Sequence, residues 1–131
     1  MRSFARLRLL SLFVLGLMVM SFAGNALAYV SARYTMNGSS AYSITVRNPT
    51  VRFDASSSQP NPTTYYWNFD GTTVVTTNPI IYHTFPQYAN GQMNYFVTLT
   101  VYDTDGWPST RTTEVIVLCS NYVPGGPPCQ V

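Results

Sequence analysis

The chain has no lysine, and charged residues make up only 9% of its 131 positions. That absence removes a Schiff-base former and a common catalytic base. Histidine occurs once, at position 83, so acid–base chemistry that needs an imidazole has a single candidate. Cysteine occurs twice, at positions 119 and 129, and no histidine is near either. Two thiols alone do not make a zinc tetrahedron. Apart from Leu9 to Met20, "LLSLFVLGLMVM", there is no long apolar run, and no segment beyond it repeats apolar residues at helical spacing.

The apolar run has a specific setting. Arg2, Arg6 and Arg8 precede it, and a small-residue stretch ending Ala26-Leu27-Ala28 follows. A basic start, about a dozen apolar residues and an A-x-A site form a secretory signal peptide, and the run is short of the ~20 residues that span a bilayer. The expected leader is 1–28, with cleavage before Tyr29 and no membrane span remaining. The destination is secreted, periplasmic or cell-surface. Cleavage also removes three of the seven arginines. Arg33, Arg47, Arg52 and Arg111 then face Asp54, Asp70, Asp103, Asp105 and Glu114, leaving a net charge near −1. No basic patch remains for nucleic acid or anionic lipid.

Short alternating runs separated by turn residues make the rest all-β. They are "YSITV" (42–46), "TVRFD" (50–54), "TTYYWNF" (63–69), "TTVVTT" (72–77), "PIIYHTF" (79–85), "NYFVTLTVYD" (94–103) and "TRTTEVIVL" (110–118). About seven antiparallel strands at this spacing predict an immunoglobulin-like β-sandwich of two sheets over 42–118. Residues 29–41 stand as an N-terminal extension, either a linker or an added strand, and contain the sequon Asn37-Gly38-Ser39. Residues 119–131 form a Pro/Gly-rich tail in which export favours a Cys119–Cys129 disulfide.

Side chains alternate across a strand. Parity sends Tyr65, Trp67, Phe69, Tyr95, Val97, Leu99 and Val101 inward, with Ile44, Val46, Val51, Phe53, Ile81, Phe85, Val115 and Val117. His83 shares the inward parity of Ile81 and Phe85, which reads as a structural histidine rather than a general base.

Four ordered blocks, "TVRFDASSS", "YYWNFDG", "HTF" and "YFVTLTVYDTDG", resemble the PKD (polycystic kidney disease) repeat over roughly 42–118. Phe69 runs straight into Asp70-Gly71 where the family pattern has an extra glycine, and Phe85 replaces a tyrosine. The resemblance implies a non-catalytic immunoglobulin-like module that contacts extracellular proteins or carbohydrates.

Three candidate sites follow. The outward sets of the third, sixth and seventh strands offer a nearly uncharged face carrying Tyr66, Phe96, Tyr102 and Ile116, suited to a sugar ring or to a neighbouring subunit. Trp107 lies at a loop end of the sandwich, with Asp54, Asp103 and Asp105 near it. These carboxylates are a candidate Ca²⁺ set, although Ca²⁺ takes about six to eight oxygens and no EF-hand spacing is present. Asp103 and Asp105 also suit a role in setting the turn before Gly106. The sequence calls for no other cofactor. The expected role is a protein–protein contact or structural subunit, including self-association, with polysaccharide binding through exposed aromatics as the alternative.

Overall fold

A computed structural model describes residues 29–87, 91–119 and 123–125. The leader and Cys129, with the bridge expected of it, lie outside the described residues. Eight strands appear among those described: β1 (Thr35–Met36), β2 (Ser43–Val46), β3 (Thr50–Asp54), β4 (Tyr65–Phe69), β5 (Thr72–Thr76), β6 (Ile80–Thr84), β7 (Gln92–Tyr102) and β8 (Pro108–Leu118). They form two sheets, β1-β3-β6 and β2-β8-β7-β4-β5. The pairs are antiparallel except β2 with β8, which is parallel. No helix of the described residues is long and apolar enough to cross a membrane.

The strands are short because turn chemistry interrupts them. β4 and β5 join through the two residues Asp70-Gly71, both at positive φ (49° and 101°). This is the geometry that matches strand twist in a tight hairpin and that Asp-Gly adopts readily. The Asn68 Oδ1 accepts from the Gly71 N–H at 2.8 Å and closes the turn.

The core is aromatic. Trp67 is fully buried and stacks 5.8 Å from Phe69, and Phe53 meets both rings at 5.6 and 5.2 Å. Of the apolar residues assigned inward by parity, all are buried except Ile44, Val46 and Ile81, which are partly buried and pack against the cluster, and His83 of the same parity is half-buried. Those three sit on strands at sheet edges, where one flank lacks cover. His83 lies parallel to Phe69 at 4.1 Å and edge-on to Phe85 at 4.6 Å. Burial lowers its pKa.

The core also reaches N-terminal to the expected sandwich. Val30, Ala32, Tyr34 and Met36 alternate into it. The turn Asn37-Gly38 returns the chain, with Met36 and Ser39 exchanging backbone bonds of 2.8 and 2.9 Å. The segment 29–41, set apart in the sequence as a linker or an added strand, thus supplies β1 to the chain's own smaller sheet and then crosses to the larger one. Tyr34 secures the crossing. Its hydroxyl donates to the Val97 carbonyl at 2.8 Å and lies 2.6 Å from Thr113 Oγ1. Burial pushes its pKa up to about 12, against the smaller lowering effects of Thr113 and Arg111. Arg111 then clamps the crossover, donating to the Ser40 carbonyl at 2.6 Å beneath the Tyr42 ring, whose centroid is 4.8 Å away.

Candidate functional site

Three segments converge at one end of the sandwich: the N-terminal residues before β1, the β3–β4 loop and the β7–β8 turn. Ser31 and Gln59 exchange backbone bonds at 2.6 and 3.2 Å. The buried Ser58 hydroxyl both donates to the Arg33 carbonyl (2.8 Å) and accepts from its N–H (3.0 Å). On the other side the Ala32 N–H donates to Ser109 Oγ at 3.0 Å. The N-terminal segment is therefore stitched to the β3–β4 loop and to the start of β8, and its first residues become a wall of what lies between them.

That space is a groove of about 550 Å³, lined by Tyr29, Val30, Pro60, Trp107 and Pro108 together with Asp103, Thr104 and Asp105. Tyr29 is 82% exposed and Trp107 70%. The tryptophan is held through its backbone rather than its ring. Asp103 Oδ1 accepts from the N–H groups of Asp105 (2.9 Å) and Trp107 (2.8 Å), and the Asp103 N–H donates to the Trp107 carbonyl at 3.0 Å. Gly106, at φ 85°, takes the left-handed conformation this turn requires. The result is a large aromatic side chain, fixed at its root and open to solvent, beside carboxylates.

A smaller cleft of about 210 Å³ adjoins it, lined by Thr63, Thr64, Tyr66, Tyr102 and again Asp103. Tyr66 and Tyr102 meet edge to face at 5.3 Å. Of the four outward residues on the larger sheet, these two come together and the others do not. Phe96 lies six positions from Tyr102 along β7, roughly 20 Å at the rise of an extended strand. Between them run Thr98 and Thr100, and Thr98 is paired by hydroxyls with Thr112 at 2.8 Å. Ile116 faces Asn94, farther still toward the start of β7. Phe96 is 55% exposed, so it is an outward residue but belongs to the far half of the face.

The carboxylates divide as well. Asp54 is bound locally: its Oδ1 accepts from the Ser56 hydroxyl and N–H, which chiefly hold its pKa down, and its Oδ2 meets Arg52 at 2.8 Å. Asp103 and Asp105 line the groove, and Asp54 does not. Among the described residues no three acidic, histidine or cysteine side chains gather as a metal site. Asp103 performs the turn-setting role. Sequence reasoning placed Trp107, Asp103 and Asp105 at this end but missed Tyr29, Pro60 and Pro108. The alternation Val30, Ala32, Tyr34, Met36 ending in Asn-Gly was the signal for a strand leading from Tyr29.

Two sheets packed around an aromatic core, mostly of antiparallel strands, define an immunoglobulin-like β-sandwich. The PKD domain family model matches residues 35–117, and the chain belongs to that family. Among curated proteins none matches. A solved structure is similar at 26% identity with a TM-score of 0.55. Its subject is the structural basis for the promiscuous specificity of carbohydrate-binding modules from the β-sandwich superfamily. The match covers 70% of this chain and 35% of that one, so the present chain corresponds to about a third of its length.

Proposed function

We propose that the protein is an exported, non-catalytic binding module that holds a polysaccharide in the loop-end groove. The observation that carries this reading is Trp107, anchored by its backbone to Asp103 and exposed with Tyr29 around a groove whose wall bears two carboxylates. An aromatic ring supplies an apolar face of low conformational freedom, and carboxylate oxygens accept hydroxyl hydrogen bonds. A sugar presents both partners at once. The similar carbohydrate-binding-module structure agrees with this chemistry. A non-catalytic role agrees with the placement of His83, whose ring is packed against Phe69 and Phe85.

Retention on insoluble cellulose, chitin and xylan tests the proposal. Trp107→Ala should lower retention at least about tenfold, the equivalent of 1.4 kcal/mol, with an unchanged circular dichroism spectrum. Equal retention of variant and wild type overturns the groove as the site.

A protein contact is the second reading, favoured by the far half of the larger sheet. There Phe96 is exposed and Glu114 already accepts from Asn94 and Ser43. Light scattering of the exported protein reads this directly: a monomer at all concentrations removes self-association through that face.

A further inference from the structure

We propose that the site has two adjoining subsites, the Trp107 groove and the Tyr66–Tyr102 cleft, and that it grips several consecutive units of a linear, uncharged polysaccharide. This rests on the polysaccharide reading above and adds the length and charge class of the ligand.

Asp103 lines both depressions, so they are separated by no more than one side chain. Its Oδ1 is committed to the N–H groups of Asp105 and Trp107, while its Oδ2 accepts nothing from the described residues. An acceptor with a fixed backbone and an uncommitted oxygen stands where a chain leaving one depression enters the other. The second depression is smaller and more polar than the first, but it too sets aromatic rings beside hydrogen-bonding groups, here the hydroxyls of Thr63 and Thr64. Tyr66 pairs with Thr100 across β4 and β7, so Tyr102 is its diagonal neighbour, and the two rings pack edge to face at 5.3 Å. These two tyrosines are exposed, and the core does not need them.

Charge narrows the ligand further. Asp103 and Asp105 are the charged groups lining the two depressions, and no arginine joins them. A uronate or sulfated chain would bring like charge against them with no compensating cation, a repulsive element that selects for neutral chains.

The test is titration calorimetry of the exported protein with β-1,4-linked oligomers of glucose, xylose and N-acetylglucosamine, from disaccharide to hexasaccharide, with polygalacturonate as the acidic control. Affinity for the oligomer that binds should rise by about tenfold or more with length. In the double variant Tyr66→Thr, Tyr102→Thr, which keeps β-favouring residues on both strands, that rise should vanish while affinity for the disaccharide stays the same. Polygalacturonate should give no heat. A rise with length that survives in the double variant overturns the second subsite, as does an equal loss for the disaccharide, which would put the tyrosines in the first. Retention on the insoluble polymers without length dependence overturns this inference alone. No binding to any oligomer or polymer overturns the polysaccharide reading itself.

Discussion

Two sets of aromatic side chains divide this molecule. Tyr34, Phe53, Trp67, Phe69 and Phe85 meet one another between the sheets, ring against ring at 5.0 to 6.3 Å. Tyr29, Tyr66, Tyr102 and Trp107 gather at one end and keep much of their surface in water. Phenylalanine is confined to the first set, but tyrosine and tryptophan occur in both, so residue type alone does not separate them. What separates them is position: an inward-facing place on a strand, or a strand-flanking residue folded between the sheets, buries a ring, whereas outward parity or an open loop leaves it in water. An aromatic in the first set contributes to stability, and one in the second is available to a ligand.

Substitutions can break this division, beginning with its largest consequence. Trp67→Ala should cost about 3–5 kcal/mol, as expected for removing a buried aromatic and leaving a cavity, whereas Trp107→Ala should stay within about 0.5 kcal/mol. Denaturant midpoints of the two variants at unchanged slope provide the check, and equal losses would erase the distinction.

A smaller effect tests how the N-terminal crossing is held. Tyr34→Phe keeps the ring contacts and deletes the hydroxyl that joins Val97 and Thr113. Leaving the buried Val97 carbonyl without that donor should cost about 1–3 kcal/mol. A midpoint matching wild type would mean that packing alone secures the segment.

The smallest effect is a pH slope. Folding favours neutral His83, because its pKa is lowered from 6.5 by burial against Phe69 and Phe85. Above pH 6.5 both folded and unfolded states are neutral there and the group contributes nothing to the slope. As the pH falls below that value the unfolded chain takes up the proton first, so stability declines until the folded pKa is passed. With one histidine in the chain, unfolding at pH 7.5 and pH 5 should give a lower midpoint at pH 5, and His83→Gln should flatten the difference. A slope that persists in the variant assigns it to other groups.

Much of this architecture is legible in the sequence. Alternation in "YYWNF" and "YFVTLTVY" placed Trp67, Phe69, Val97 and Leu99 inside, and Asp70-Gly71 marked a hairpin, since both are local consequences of the pleat and of positive φ. The segment before Ser43 was harder to read. Its inward residues Val30, Ala32, Tyr34 and Met36 alternate as clearly as any, but Ser31, Arg33 and Asn37 gave it the composition of a linker. Asn37-Gly38 reads as part of a sequon and also closes a turn.

Local pattern alone settled the all-β class, the family blocks and the inward faces, because period-two alternation and turn chemistry act over a few residues. Tertiary structure decided which outward residues meet. Tyr66 and Tyr102 touch because β4 and β7 pair in one register, Phe96 is carried away along the same strand, and Asp103 stands between two depressions only because three distant segments end at one place. Such convergence depends on strand pairing across dozens of residues, which no short window of sequence encodes.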